Sequence, residues 1–420
     1  QGERCVDMTK AVKEVQSRRK RLAIPLIPSG KLFGFMSQIK NDPLGVACMA
    51  LERGQPLNRV RVGLVNMCFV LDPAHIRRIL MDDADVYQKT TRGYEKLRRL
   101  VGNGLLTSSG DFWLRQRRIA QPAFRKKCVE GFANTMVSHA KIQCERWRRD
   151  VRDDESVDVA EALNLLTLRI AGDTLMSADM ESEGREVGEA MSYLMERFNG
   201  LVASPLPYPE LWPTPGNLKL WRAVRTLHGV TDGLIEARRL SGEQVPDLLG
   251  MLMAAEDPES GEKMDDRQLR DEVLTMLLAG HETTANGLTW ILYLLSQHPD
   301  VLGRLEGEVD CVLDGRAVRA SDIKDFTYTS QVIKESLRLF PPAWTVVRQA
   351  SRHTELGDYT VQKGSYMFVS PYLMHRHPDY WQQPEVFDPD RFGPDAEHID
   401  RFVYFPFLRG RRQCIGDRFA

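Results

Sequence analysis

The sequence lacks long apolar runs and an excess of charge of either sign. No stretch reaches the roughly 18 consecutive apolar residues that a helix needs to span a bilayer, so no membrane span is expected. The 57 basic and 58 acidic residues leave a net charge of −1. No whole-chain electric field therefore favours nucleic acid or an anionic membrane as a partner.

Cysteine is scarce and has no paired spacing. The seven cysteines form no C-x-x-C pair, and their number is odd. These features disfavour a disulfide framework or a zinc site and predict a reducing, cytoplasmic compartment. Six cysteines are expected to be ordinary thiols. The seventh, Cys414, lies in a stretch rich in glycine and arginine.

Hydrophobic periodicity predicts two elements early in the chain and one long helix near its middle. Val60–Leu64 and Met67–Leu71 are predicted to form a β-hairpin that turns at Val65-Asn66. Asp72-Pro73 predicts a helix start, because a capping side chain precedes a proline at the first helical position. The longest helical pattern runs from Asp266 to Gln297, roughly 48 Å at 1.5 Å per residue.

The remaining pattern predicts a helix-rich chain with small strands. The proline-rich segment from Ala203 to Pro215 is predicted to be a loop between helices. A helix at Gln331–Phe340 is followed by short strand-like runs at Tyr359–Val361 and Ser365–Val369. The fold class is therefore mostly α, a single α+β domain over residues 1–420.

One stretch near the end carries the strongest chemical pattern. It reads Phe407-Leu408-Arg409-Gly410-Arg411-Arg412-Gln413-Cys414-Ile415-Gly416 and matches F-x-x-G-x-R-x-C-x-G at every fixed position. Chance agreement is on the order of one in ten thousand. The stretch resembles the haem-ligand motif of the cytochrome P450 family, and the resemblance extends from about residue 30 onward. It implies the P450 fold, with haem b between the long central helix and the cysteine loop.

The residue types of this motif suit a thiolate that ligates haem iron. Cys414 precedes Ile415–Ala420, a predicted helix whose N-terminus would favour the ionised sulfur. Gly410 and Gly416 are expected to let the backbone approach the sulfur and the porphyrin closely. Phe407 would shield the sulfur from water, and Arg412 would pair with a propionate.

The resemblance implies further cofactor contacts outside the motif. Trp113 and Arg117 are four residues apart on one helix face and would hold a haem propionate. Arg348 matches another propionate-binding position. A packed Trp beside a solvated Arg is the alternative for the first pair.

Three residues are assigned to the scaffold rather than to chemistry. Glu335 and Arg338 lie three apart on one predicted helix and can form an ion pair. The resemblance adds Arg391 as their partner near the proximal haem face. The family normally continues well beyond the cysteine helix, so residues 1–420 are expected to lack that C-terminal segment.

The centre of the long helix resembles the family's oxygen-binding segment. Ala279 and Gly280 would leave room for dioxygen, while Glu282 and Thr283 would relay protons to it. A side-chain cap or turn inside a broken helix is the alternative for these polar residues.

The resemblance also implies a lipophilic substrate, such as a fatty acid, terpenoid or carotenoid. The candidate pocket residues are each equally interpretable as core residues: Tyr94, Leu97, Met276, Ala343, Trp344 and Val346. Because the sequence contains no flavin or ferredoxin module, electrons are expected from a ferredoxin or flavodoxin-like donor with its reductase. Four arginines would attract such an acidic donor: Arg115, Arg118, Arg409 and Arg411.

The leading functional prediction is a monooxygenase, which inserts one oxygen atom of dioxygen into a C–H bond. A haem-thiolate peroxygenase or isomerase, and a non-catalytic haem sensor, are the alternatives. The basic run at residues 18–21 resembles the hinge that follows the anchor of membrane-bound relatives. We favour a solvated run that leads into the fold.

Overall fold

Helices make up most of the described protein. The structure is a computed structural model that describes residues 21–31, 33–151, 156–177, 180–202, 209–243 and 245–420. Its α-helices are α1 (Met36–Asn41), α2 (Pro43–Glu52), α3 (Pro73–Arg77), α4 (Arg92–Val101), α5 (Gly110–Ala120), α6 (Lys126–Asp150), α7 (Val159–Met176), α8 (Met180–Val202), α9 (Pro215–Ser241), α10 (Leu248–Ala254), α11 (Asp266–Gln297), α12 (Pro299–Leu313), α13 (Thr327–Leu339) and α14 (Pro371–Met374). Shorter π- and 3₁₀-helical turns lie at Arg78–Asp82, Gln121–Phe124, Pro209–Leu211, Ala320–Lys324 and Pro389–Phe392.

Two small sheets accompany the helices. The strands are β1 (Leu22–Ala23), β2 (Leu57–Val62), β3 (Val65–Val70), β4 (Tyr87–Gln88), β5 (Val346–Ala350), β6 (Thr354–Leu356), β7 (Tyr359–Val361) and β8 (Tyr366–Val369). One sheet has the order β1-β7-β6 and the other β2-β3-β8-β5-β4, with parallel and antiparallel pairs in both. The predicted helix-rich α+β class is confirmed.

The first hairpin turns two residues earlier than predicted. Val62 pairs with Val65, so Gly63-Leu64 forms the turn. Gly63 has a φ of 59°, a left-handed conformation that glycine adopts without a steric penalty. The predicted turn at Val65-Asn66 is therefore wrong, because both residues already pair within the ladder.

Two predicted helix starts are confirmed by their capping contacts. Asp72 accepts a hydrogen bond from the His75 backbone N–H at 2.8 Å, with Pro73 at the first helical position. The long helix α11 has the predicted bounds and begins at a capping box formed by Asp265 and Gln268.

Parts of two other predictions lie outside the described residues. Of the proline-rich loop, residues 203–208 are not described, while Pro209–Leu211 forms a 3₁₀ turn. Of the basic run at 18–21, only Arg21 is described. The six described cysteines are all free thiols. Within the described ranges, no helix has the length and apolar character needed to cross a bilayer.

Helix α11 runs through the main hydrophobic core and packs most extensively on α7. Residues 271–278 are all buried, so this part of the helix is covered on every side. Burial ends abruptly at Ala279, which is exposed, and Thr283 one turn later is exposed too. A core helix that exposes small residues at its middle lines a cleft.

A buried ion pair fixes α13 against the chain that follows it. Arg338 Nε lies 2.7 Å from a carboxylate oxygen of Glu335, and both side chains are fully buried. The other guanidinium N–H groups donate to Glu335 and to the carbonyls of His375, Pro384 and Val386. The fork of the arginine is therefore fully used, which a buried charge requires. Arg391 adds a longer contact to Glu335, at 3.4 Å.

The loop between α4 and α5 is tied to α11 by two carboxyl groups. Asp271 accepts from the backbone N–H of Asn103 at 2.7 Å, and Glu272 accepts from that of Leu105 at 3.0 Å. Gly102 has a φ of 82°, and a Cβ there would lie 2.1 Å from the Asp271 carboxyl. The loop therefore approaches α11 as closely as only glycine allows.

Glu272 makes stability depend on pH. Burial raises its pKa to about 8, with Asp271 adding to the effect and the Leu105 N–H opposing it. In the unfolded chain the pKa is about 4.3. Between these values the folded state binds more protons than the unfolded state. The free energy of unfolding contributed by this group therefore falls as pH rises from about 4 to about 8.

The variant Glu272→Gln keeps an oxygen that can accept from Leu105 but removes the titration. We expect the wild type to lose stability relative to this variant as pH rises over that window. Urea unfolding of both proteins at several pH values measures the difference. A difference that stays constant with pH would contradict the raised pKa.

Candidate active site

The cysteine loop is closed by its own backbone. The Cys414 N–H donates to the Phe407 carbonyl at 2.9 Å, and the Gln413 N–H donates to the Gly410 carbonyl at 3.1 Å. Gly410 has a φ of 83°. Leu408 also takes a left-handed conformation, with a φ of 60°. The leucine thus occupies a glycine-type backbone position, at a cost of about 1–2 kcal/mol.

The two motif glycines have different surroundings. A Cβ on Gly410 would lie 2.2 Å from the Leu80 carbonyl oxygen, so this glycine lets the loop pack on the turn after α3. A Cβ on Gly416 would meet only Phe124, at 3.9 Å. Packing within the protein therefore explains Gly410 but does not require glycine at position 416.

Opposing effects act on the Cys414 thiol. Its side chain is exposed, yet the surrounding protein desolvates the sulfur and raises its pKa. The Gly416 N–H donates to the sulfur and the Arg117 guanidinium lies nearby, and both lower the pKa, whereas Asp417 raises it. The N–H contact expected of a helix N-terminus is present, and the neighbouring cation favours the thiolate as well.

The predicted helix at Ile415–Ala420 is replaced by turns. The N–H groups of Phe419 and Ala420 both donate to the Gly416 carbonyl at 3.0 Å. The Ala420 bond is of the i→i−4 type found in α-helices, so these residues form a single helical turn.

Helix α5 holds the cysteine loop through Trp113 and Arg117. Arg117 donates to the Gln413 carbonyl at 2.8 Å, next to the candidate ligand. The Arg412 guanidinium stacks over the Trp113 ring at 4.0 Å from its centroid. The structure thus brings together Trp113, Arg117 and Arg412, each of which was expected from the sequence to contact a haem propionate.

A cluster of cations surrounds this contact. Arg348 donates to the Tyr94 hydroxyl, and Lys89 lies 4.3 Å above the Tyr94 ring. Desolvation and the neighbouring arginines lower the pKa of Lys89, and they lower that of Arg412 to about 9. We call this group the cation cluster; its members are Lys89, Arg98, Arg348 and Arg412.

Three consecutive backbone carbonyls of the α4–α5 loop receive three of these cations. Lys89 donates to Leu106, Arg98 donates to Thr107, and Arg412 donates to Ser108. Within the described ranges, no carboxylate forms an ion pair with a member of the cluster. Lys89 and Arg348 are buried, and Arg98 and Arg412 are half-buried. Carbonyl dipoles compensate only part of this desolvated positive charge, so the cluster fits an anionic ligand.

Haem b fits these surroundings. Its two propionate carboxylates match the cation cluster, and its iron matches the thiol of Cys414. Gly280 also fits a bound haem, because a Cβ built there would meet nothing within 4 Å. The helix that faces the cleft therefore leaves open space at its middle.

Two polar residues of α11 take different positions. The Thr283 hydroxyl donates to the Ala279 carbonyl one turn earlier, which leaves its oxygen free to accept. Glu282 is half-buried, and desolvation raises its pKa. An acid whose pKa is raised can hold a proton more readily and pass it to a neighbouring alcohol.

The candidate pocket residues are divided among several environments. Leu97 and Met276 are buried in the main core. Trp344 packs beside the core under β2 and β3, and Val346 packs against the cluster under the second sheet. Ala343 is exposed. Tyr94 belongs to the surroundings of the cation cluster.

Lys89, Arg98 and the two carboxyls Asp271 and Glu272 did not emerge from the sequence. The spacing of Tyr94 and Arg98, four apart on an amphipathic helix, was the available indication for α4. Lys89 directly follows the short strand β4, and no local pattern reveals that it is buried.

Comparison with known proteins agrees with this geometry. A family model described as cytochrome P450 matches residues 25–420. A cyclooctat-9-en-7-ol 5-monooxygenase of Streptomyces melanosporofaciens is 34% identical, covering 87% of this chain and 78% of its own. A pentalenene oxygenase of Streptomyces avermitilis is 33% identical over 95% and 86%. A leukotriene-B4 omega-hydroxylase of Mus musculus is 31% identical over 82% and 70%.

With the match covering nearly the whole described chain, the protein belongs to the cytochrome P450 family, whose members bind haem b through a cysteine thiolate.

Proposed function

We propose that this cytochrome P450 monooxygenase hydroxylates a cyclic terpenoid. The observation that carries the proposal is the small-residue face of α11, where Ala279 is exposed and Gly280 is half-buried with open space around it, which offers room for a bulky apolar skeleton. Two relatives that are 33–34% identical are named for oxygenation of cyclic terpenoids.

The free state of the described cysteines supports a reducing, cytoplasmic location.

The substrate class can be tested by binding alone. Titration of the haem-loaded protein with a cyclic terpene alcohol and with a straight-chain fatty acid of equal carbon number should give difference spectra for both. We expect the terpene alcohol to bind at least about tenfold more tightly, a difference of about 1.4 kcal/mol. Tighter binding of the fatty acid would favour an ω-hydroxylase instead.

We assign the cofactor contacts as follows. Haem, when bound, supplies the iron at which dioxygen is activated. Cys414 would ligate the iron, and Phe407 would cover the sulfur from the solvent side. The cation cluster would hold the propionates, and Arg117 would stabilise both the loop and the thiolate. Gly416 would keep the backbone small beside the porphyrin.

We assign proton handling to Glu282 and Thr283. Monooxygenation consumes two protons and two electrons for each dioxygen, and releases one water. Glu282 would hold a proton at its carboxyl oxygen. The Thr283 hydroxyl would give up its hydrogen bond to the Ala279 carbonyl and instead direct that proton toward the cleft.

Thr283→Ala should therefore separate electron use from product formation. We expect reductant consumption to continue, product to fall on the order of 10²-fold, and hydrogen peroxide to rise, because the proton is no longer oriented. Thr289→Ala is the matched control, since Thr289 donates to the Ala285 carbonyl in the same way on the same helix. Equal coupling in both variants would contradict the assignment. Product driven better by peroxide than by reductant would favour a peroxygenase.

We propose that a separate acidic electron donor docks beside the cysteine loop. Two of the arginines predicted for this surface are already neutralised: Arg115 pairs with Glu262, and Arg118 pairs with Asp257 and Glu259. Arg411 pairs with Asp85. We therefore place the docking charge at the start of α6, where Arg125 and Lys127 are exposed. This turn follows Phe124, which lies beside Gly416.

Reversing these charges tests the docking surface. Arg125→Glu with Lys127→Glu should raise the Michaelis constant for an acidic ferredoxin several-fold, through a slower encounter, and added salt should shrink the effect. Lys141→Glu with Arg148→Glu is the control, because it reverses two exposed charges on the same helix, beginning about 21 Å beyond Lys127. An unchanged Michaelis constant would exclude this surface.

A further inference from the structure

A cavity lies on the side of α11 that turns away from the cleft. Its volume is about 250 Å³, and it is bounded by α7, α8 and α11. The lining residues are Asn164, Met191, Ser192, Met195, Glu196, His281, Glu282 and Asn286. Most of the lining groups are polar, and Glu282 is one of them.

His281 marks the inner end of the cavity as a place for water. Its ring is 3% exposed, and one ring nitrogen bonds to the Asn164 carbonyl. The other nitrogen, Nδ1, has no hydrogen-bond partner among the described residues. Burial lowers the pKa of His281 to about 4, so Nδ1 is an acceptor at neutral pH. A buried acceptor beside a polar cavity is normally satisfied by water.

The outer end of the cavity reaches solvent. Ser192, Glu196 and Asn286 are exposed, whereas His281 is buried. At ~30 Å³ per molecule, the volume would hold about eight waters. The lining contains no lysine or arginine that would lock either carboxyl in an ion pair. Arg197, next to Glu196 in the chain, instead donates to Asn217 at 3.0 Å.

The helical geometry connects this cavity to the cleft through one residue. Successive residues of an α-helix are about 100° apart around its axis. His281 and Thr283 therefore point to nearly opposite sides, and Glu282 lies between them. Glu282 is the lining residue that is adjacent to Thr283, and desolvation is the cause of its raised pKa.

We propose that this cavity is the proton inlet of the enzyme: its waters carry protons from solvent to Glu282, and Glu196 is the outer carboxyl that feeds them. The inference rests on the relay assigned to Glu282 and Thr283. Glu282 releases a proton toward the cleft and is reprotonated by the nearest water. That water is reprotonated in turn along the chain from Glu196. His281 stays neutral and holds one water by accepting its hydrogen bond.

The test compares three variants of the haem-loaded enzyme with the wild type. Glu196→Gln removes the outer carboxyl with little change of shape. Ser192→Phe fills the cavity without touching a carboxyl. Glu189→Gln is the matched control, since Glu189 is exposed on the same helix but does not line the cavity. The carbon monoxide difference spectrum checks that each variant folds and holds haem.

We expect Glu196→Gln and Ser192→Phe to slow product formation by roughly 3- to 10-fold, less than the loss of Glu282, which delivers the proton at the cleft. The solvent deuterium isotope effect on turnover should rise in both variants and stay at the wild-type value in Glu189→Gln. A purely structural defect would not change this isotope effect.

A second measurement needs no turnover. In deuterium oxide at acidic pH, the infrared band of the protonated Glu282 carboxyl shifts as its proton exchanges, and Glu282→Gln identifies the band. Ser192→Phe should slow this exchange. Wild-type exchange and isotope effects in both cavity variants, with Glu282→Gln still impaired, would overturn the inlet alone. An unimpaired Glu282→Gln would overturn the relay and the inlet together.

Discussion

Buried positive charge is the constraint around which this active site is organised. Four cations converge near Trp113 and Tyr94, and three of them donate to consecutive carbonyls at positions 106–108. Desolvating so many cations is costly unless carbonyl dipoles and an anion compensate them. The apoprotein therefore contains an electrostatic imbalance that two propionates would correct. Binding of haem then adds to folding stability, because the ligand is bound by the folded chain alone.

The α4–α5 loop connects the cation cluster to α11, the helix that lines the cleft. Its carbonyls face the cation cluster, while its N–H groups at Asn103 and Leu105 donate to carboxyls on α11. The distance between the propionate site and α11 is thus set by the six residues 103–108, which bond to α11 at one end and to the cations at the other. The cysteine loop is positioned separately, by Arg117 and by the packing of Gly410 on Leu80. Two independent attachments fix the cofactor plane better than one would.

Sequence reasoning succeeded where a local pattern determines the structure. The bounds of α11 follow from a continuous helical period, and the start of α3 follows from Asp72-Pro73. It erred where a single backbone angle decides, as at Gly63, whose left-handed conformation moved the hairpin turn. The cysteine motif identifies the ligand loop. It does not predict the left-handed conformation of Leu408, because leucine, unlike glycine, gives no indication of a positive φ. Lys89 and Arg98 were missed because their meaning arises only when distant segments meet.

The order of residues in Ala279–Thr284 has a physical logic that composition alone does not reveal. Because consecutive helical residues differ by about 100°, a stretch of five visits every side of the helix. Ala279 and Thr283, four apart, share the cleft side. His281 turns to α7, where the Asn164 carbonyl fixes its ring. Glu282 then stands at the boundary, half-buried, where one carboxyl can meet water on one side and an alcohol on the other. An acid one position earlier or later would lie wholly on one side of the helix, so its proximity to both compartments depends on its place between His281 and Thr283.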